Sequence, residues 1–317
     1  MTASRPTAAA PAEGAAAAAA RVAPSVADGR APARPHDRRP APVRTIAVAG
    51  AKGGVGKSAV AANLAAALGR AGAEVLLFDA DLALGDAARF LGVGRRASVA
   101  DVLAGRACLD ETVVAGPPGV SVIPSAEADP SLTRLSRIDH ASLVALFSAL
   151  DTPADTLLVD TPSGLSDAAL CPAGAAREVL LVAGPGSAAL DGAAALVHAL
   201  AARYRTRRFR VLVNGARSTD HGLDLHGALA ARIDPDADVL LDHAGTVPHD
   251  PELARAAERG LPVIETAPGS PSARAFARIA ARAARWPRPA TPAGHIEFFV
   301  ERLVQAAGPH LVRATTA

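Results

Sequence analysis

The chain has 317 residues, half of them hydrophobic with alanine dominant, and a formal net charge of +2. That is length for one large or two small domains with ample core. The near-neutral balance gives no general argument for nucleic-acid or membrane binding. Its two cysteines, Cys108 and Cys171, lack CxxC spacing, which argues against a disulfide scaffold or a zinc site and suits a reducing cytoplasm. No stretch approaches the ~20 apolar residues that span a bilayer, and the N-terminus lacks the bulky apolar run of a signal peptide.

Residues 1–43 are mainly alanine, proline and arginine, and cannot bury enough surface to offset the entropy of ordering. A disordered, mildly basic tail is predicted there. From residue 44 short apolar runs alternate with longer alanine- and leucine-rich segments. The runs are TIAVAG (45–50), EVLLFDA (74–80), VSVIP (120–124), TLLVDT (156–161), EVLLVAG (178–184) and FRVLVNG (209–215). Runs this short without polar alternation suit strands covered on both faces. Helix-like segments at 57–70, 139–150, 187–203 and 222–233 lie between several of them. Strand, helix, strand, repeated, predicts an α/β fold, a doubly wound and mostly parallel sheet in a single domain over 44–285. Ligands of such sheets bind at the carboxyl ends of strands.

The predicted linker at 286–294, WPRPATPAG, carries three prolines. An amphipathic helix at 295–307 follows, and then a flexible end at 308–317. Ile296, Phe299, Val300, Leu303 and Val304 fall on one helical face, widened by Phe298. The polar face carries Glu297, Glu301 and Arg302, so its attraction to anionic lipid would be feeble. The five arginines of RYRTRRFR (203–210) read as helix-end charge followed by a strand entry. No wider basic face accompanies them, so specific DNA binding is not expected.

The chain has only two lysines, Lys52 and Lys57, and both stand in AGAKGGVGKSAV (49–60); elsewhere its non-histidine cations are arginines. This loop joins a predicted buried strand to a predicted helix, the context of a phosphate cradle. Gly53, Gly54 and Gly56 let the backbone turn its N–H groups inward. The helix start through Val55, Lys57, Ser58 and Ala59 adds free N–H groups and a positive end. Lys57 would reach the β and γ phosphates, and Ser58 would place a hydroxyl on Mg²⁺. The strict P-loop pattern wants glycine at position 51, where this chain has Ala51.

Two further runs end in carboxylates: LLFDADLALGD in Asp79 and Asp81, and LLVDTPSG in Asp160, with Gly164 four residues on. Phosphoryl transfer with a metal needs one carboxylate near Mg²⁺ and another group to orient the attacking water. Asp160 fits the Walker B position, holding Mg²⁺ through water. Asp79 would support the ion one layer out, and Gly164 would let a backbone N–H approach the γ-phosphate.

Lys52 is surplus to a standard P-loop. The two-lysine loop KGGVGKS resembles the deviant Walker A loop of the MinD/ParA class of ATPases. In that class the first lysine crosses a nucleotide-sandwich dimer to the partner's phosphates, and a carboxylate at the place of Asp81 orients water. A lysine is a compact point charge, whereas a guanidinium is a wide planar fork, which explains lysine in a tightly wrapped loop. The segments 94–125, VPHDPELARAAERGLPVIE (247–265) and GHIEFFVERLV (294–304) resemble the flagellar-number subfamily called FlhG or FleN. This resemblance covers about 44–304 and implies a cytoplasmic ATPase that uses ATP and Mg²⁺ and forms an ATP-dependent homodimer limiting flagellar number or placement. It implies as partners a signal-recognition-type GTPase (FlhF-like), a flagellar transcription activator (FleQ-like), or both. It further implies that Asn214, Pro248 and Asp250 frame the adenine. For 295–307 it implies a peripheral membrane-facing or switch helix, at the inner face of the membrane or the cell pole; docking on its own domain is the other reading. A short glutamine-containing activating motif found in the tails of some FlhG proteins is absent from residues 1–43. The alternative within the class is a ParA-like DNA- or cargo-partitioning ATPase. Nitrogenase iron protein shares the two-lysine loop, but neither Cys108 (GRACLDET) nor Cys171 (AALCPAG) has the glycine-flanked context of its cluster ligands.

Overall fold

The computed structural model describes residues 43–287 except 82–84, 86, 95–96, 98, 104 and 126–153. Eight strands form one sheet: β1 Arg44–Ala49, β2 Val75–Asp79, β3 Val114–Ala115, β4 Val120–Ile123, β5 Thr156–Asp160, β6 Glu178–Ala183, β7 Arg208–Ala216 and β8 Leu240–Pro248. Their order is β3-β4-β2-β5-β1-β6-β7-β8. The β3–β4 pair is antiparallel and the other pairings are parallel. Nine helices accompany them among the described residues: α1 Lys57–Arg70, α2 Val99–Leu103, α3 Leu109–Thr112, α4 Asp167–Ala175, α5 Ser187–Tyr204, α6 Thr219–Ala230, α7 Pro251–Glu258, α8 Val263–Thr266 and α9 Pro271–Ala283. The described residues belong to one compact unit, Ala41–Ala317.

Both faces of the sheet are covered, which is why its strands read as unbroken apolar runs. In β1, Ala47 and Ala49 join a core with Leu170 of α4, Val197 and Leu200 of α5 and Leu229 of α6. Ile46 and Val48 point the other way, into a core with Leu64 and Leu68 of α1 and Phe276 and Ile279 of α9. Each such fully buried large side chain stabilises the fold by roughly 1.5–3 kcal/mol relative to exposure. Between these layers β1 sits with β5 on one side and β6 on the other. The crevice at the carboxyl ends of β1, β2 and β5 is therefore where the strand order turns back.

The opposite end of the sheet is closed by the last described residues. The Arg44 guanidinium donates to the carbonyls of Ala283, Ala284 and Trp286. Arg210 lies over the Trp286 ring, 5.0 Å from its centroid, while bonding Glu178 and Asp242. Arg44, where the chain enters the sheet, and Trp286 thus meet at one end of the sheet, away from the carboxyl ends.

The six apolar runs all become strands, and the predicted helices at 57–70 and 187–203 become α1 and α5. The segment predicted helical at 222–233 forms α6 over Thr219–Ala230, because Ser218 caps it by accepting from the His221 N–H at 3.1 Å. Strand β8 was not foreseen. It is an edge strand broken by Asp242 and His243, with Leu240 47% exposed, so it lacks the signature of a covered strand. The predicted helix at 139–150, residues 1–42, the linker beyond 287, the helix at 295–307 and the end at 308–317 lie outside the described residues.

Candidate functional site

The loop between β1 and α1 turns on two left-handed glycines, Gly54 at φ 80° and Gly56 at φ 88°. Gly50 lies in a tight place: a Cβ there would stand 3.1 Å from the Val182 carbonyl oxygen and 3.2 Å from Lys57 Cδ, so the neighbours would have to give by a few tenths of an ångström. Ala51, the departure from the strict pattern, needs no special backbone, since Arg205 and Asp238 are the non-glycine residues with positive φ among those described. Its methyl lies near Gly192 of α5, where an added Cβ would meet it at van der Waals distance, 3.4 Å.

Gly56 is the N-cap of α1, with no side-chain cap and no acid in the first turn. The first intrahelical bond runs from the Val60 N–H to the Gly56 carbonyl at 2.8 Å. The N–H groups of Lys57, Ser58 and Ala59 therefore precede the ladder at the positive end of the helix dipole, a natural anion site. Lys57 is 7% exposed and its Nζ donates to Ser163 Oγ. Burial lowers its pKa, opposed by the charges of Asp160 and then Asp81. Lys52 and Gly53 are exposed, and Val55 and Ser58 are half-buried.

Asp79 and Asp160 stand side by side in register at the ends of β2 and β5, both fully buried. The Asp79 carboxylate accepts from the Asp81 N–H at 3.2 Å, the Ala87 N–H at 3.1 Å and Ser125 Oγ at 3.5 Å. Burial and the neighbouring Asp160 push its pKa well above the usual carboxylate range, and the two N–H bonds offset only part of this. Two buried carboxylates facing each other favour a proton or a cation between them. Among the described residues no cluster of three or more His, Cys, Asp or Glu could cage a metal. The donor set fits Mg²⁺, which is held by one or two carboxylates, a hydroxyl and phosphate rather than by an all-protein cage. Asp81 is half-buried, and its carbonyl accepts from the Gly85 N–H at 2.8 Å. Gly164, in the loop after β5, has φ 106° and open space where a Cβ would be.

Asn214, at the end of β7, reaches the loop directly: its Nδ2 donates to the Val55 carbonyl at 2.8 Å. Pro248 ends β8, half-buried. Asp250 has both oxygens engaged. One caps α7 through the Glu252 N–H at 3.0 Å, and the other takes the Ser272 N–H at 3.0 Å and Oγ at 2.6 Å. Burial alone would raise its pKa, but these bonds outweigh it and hold the carboxyl below the usual range. Its carboxylate is thus a structural tie between α7 and α9, and an adenine contact would fall to its neighbours or its backbone.

The sequence reading missed Ser163, which bonds Lys57, and Ser125, which bonds Asp79. Ser163 lies inside DTPSG and could have been found there; Ser125 follows VSVIP and carried no local signal. Of the arginine cluster, Arg203 pairs with Asp167, Arg207 with Asp238, Arg208 with Asp242, and Arg210 with Glu178 and Asp242. Cys108 is exposed, and the buried Cys171 has its Sγ 3.2 Å from the Tyr204 hydroxyl. No helix among the described residues is long and apolar enough to cross a membrane.

Comparison with known proteins gives the same frame. A family model described as ParA, NUBPL iron-transfer P-loop NTPase, matches residues 42–284. The chain is 41% identical over 264 residues to the antiactivator FleN of Pseudomonas aeruginosa, covering 83% of this chain and 94% of that protein. It is 34% identical to the chromosome-partitioning ATPase Soj of Thermus thermophilus, over 76% of this chain and 95% of that one. Among solved structures, the septum site-determining protein MinD of Pyrococcus horikoshii, complexed with Mg-ADP, superposes with a TM-score of 0.61 at 26% identity, covering 77% of this chain and 96% of that one.

Proposed function

The chain belongs to the ParA family of P-loop NTPases, with a MinD-like fold, and from that premise we propose that it is an ATP-binding, ATP-hydrolysing switch whose nucleotide-bound homodimer limits flagellar number or placement. The observation that carries the nucleotide chemistry is the placement of a buried Lys57, with Asp160 and Asp81 acting on its charge, at the unlatticed start of α1. The likeness to FleN over most of the chain supports the flagellar role, and the MinD likeness supports Mg²⁺ and an adenine nucleotide as ligands.

In this reading the N–H groups of the Gly53–Ala59 loop receive the phosphates, and Lys57 sets its charge between the two outermost ones. Ser58 and Asp160 would hold Mg²⁺, with Asp79 behind them; when bound, the ion neutralises charge that develops on the phosphates. Asp81 orients water, and the Gly164 N–H meets the γ-phosphate. Lys52, exposed on the loop, reaches the nucleotide of a second copy, a trans cation of the kind that can contribute ~10³ or more in rate. Asn214 and Pro248 border the base. The partners are a flagellar signal-recognition-type GTPase, a flagellar transcription activator, or both, and residues 295–307 make peripheral membrane contact.

Deleting the gene and counting flagella, with flagellar transcripts measured in the same cells, tests the role. More flagella per cell, or displaced ones, is the expected result. Raised transcripts point to the activator as partner, and unchanged transcripts to the GTPase. Unaltered flagellar number and placement would refute the flagellar reading, while leaving the ATPase chemistry to be judged in vitro.

A further inference from the structure

The side chain that meets Lys57 belongs to none of the phosphate-loop or carboxylate positions. Strand β5 ends at Asp160, and the next residue is pinned back to β1: Thr161 donates to the Val48 carbonyl through its N–H at 3.2 Å and its Oγ1 at 3.1 Å. Beyond that anchor the loop opens. Ser163 is exposed, Gly164 sits at φ 106°, and Leu165 is 45% exposed although leucine normally prefers the interior. The segment is thus anchored at its start, with a left-handed glycine and an exposed leucine beyond the anchor. Among the described residues the Ser163 hydroxyl is a polar link from this segment to the phosphate loop, accepting from the Lys57 ammonium.

Lys57 is buried, so its ammonium has few places to send its three N–H donors. A phosphate that enters the loop competes with the Ser163 hydroxyl for them. We propose that Ser163 is a positioning residue that latches Lys57 in the nucleotide-free chain and must release it when phosphate binds. Occupancy of the phosphate loop is thereby reported to the Gly164–Leu165 segment. The proposal rests on the reading of this loop as a nucleotide cradle. A contact present only in the free state opposes binding by its own strength. A hydrogen bond to a charged group is among the stronger ones, but water can replace an exposed hydroxyl. Removing the latch should therefore tighten binding by about 3- to 10-fold. ADP and ATP should gain alike, since the lysine of a P-loop meets the β-phosphate of both.

Calorimetric titration of the full chain with Mg-ADP and with a Mg-bound non-hydrolysable ATP analogue, for wild type, Ser163→Ala and Ser163→Thr, decides it. The expected result is tighter binding of both nucleotides by Ser163→Ala and wild-type affinity for Ser163→Thr, which keeps the hydroxyl. If wild type binds both and Ser163→Ala matches it, the latch is wrong and the cradle stands. Loss of affinity for the ATP analogue alone would also overturn the latch, because Ser163 would then serve the γ-phosphate in the bound state. If wild type binds neither nucleotide, the cradle itself is wrong and the latch falls with it.

Discussion

Replacing Gly56 by alanine tests the geometry of the phosphate loop without reference to any ligand. At φ 88° an alanine occupies the left-handed region, at a cost of roughly 1–2 kcal/mol. Its Cβ would also stand 2.5 Å from Asn214 Nδ2, too close for either to remain. Asn214 would swing off the Val55 carbonyl and lose a neutral hydrogen bond, a further loss of about 0.5–1.5 kcal/mol. The sum is a destabilisation of about 2–3 kcal/mol by urea denaturation. In an Asn214→Ala background the obstacle and the bond are already gone. There Gly56→Ala should cost only the backbone term, about 1–2 kcal/mol, leaving a coupling of about 1 kcal/mol between the two sites. Equal costs in both backgrounds would refute the contact between Asn214 and the loop. A cost under about 0.5 kcal/mol in either would refute the left-handed turn itself.

Three other outcomes follow from the packing away from the loop. Arg210→Met leaves Glu178, whose side chain is 11% exposed, without its ion partner; a loss of about 3–5 kcal/mol is expected, with Trp286 emission changing as the cation leaves its ring. Unchanged stability on denaturation would contradict the buried pair. Burial, then His226 and Arg282, lowers the His243 pKa, so its neutral form is the one the fold prefers. The stability it contributes is complete above its unfolded pKa near 6.5 and is lost as pH falls through the lower folded value; His243→Gln should flatten the thermal midpoint against pH over that window. Gly260→Ala, at φ 67° with its Cβ 2.7 Å from the Arg89 carbonyl, should destabilise by about 2 kcal/mol or more and loosen the 3-10 turn Arg89–Leu91, read as faster hydrogen exchange near Arg89.

The sheet was legible because a parallel strand buried on both faces leaves a short run of apolar residues without polar alternation, bounded by turn residues. TIAVAG and TLLVDT are such runs: the first leads into the glycine loop that carries Lys57, and the second ends in Asp160. The same logic hid β8. At the edge of the sheet, LLDHAGTVP carries an aspartate and a histidine where a central strand would carry aliphatics, and its register shifts against β7 around Val211 and Leu212. Helix α4 was hidden by Pro172, buried within it, which reads as a breaker. Helix α9 leaves a legible trace in the sequence: Ala273, Phe276, Ile279, Ala280 and Ala283 form an apolar stripe with helical spacing. In the site, glycine-loop chemistry is local and so was readable. Contacts that depend on the fold were not, among them Ala51 against Gly192, Asn214 on Val55 and Asp250 between two helices.

Sedimentation velocity of the purified chain, nucleotide-free, with Mg-ADP and with a Mg-bound non-hydrolysable ATP analogue, tests the proposed switch most directly. The account predicts a monomer in the first two conditions and a dimer in the third, with Lys52→Ala failing to dimerise while still binding the analogue. A sedimentation coefficient indifferent to the analogue, or a Lys52→Ala chain that dimerises as readily as wild type, would contradict it.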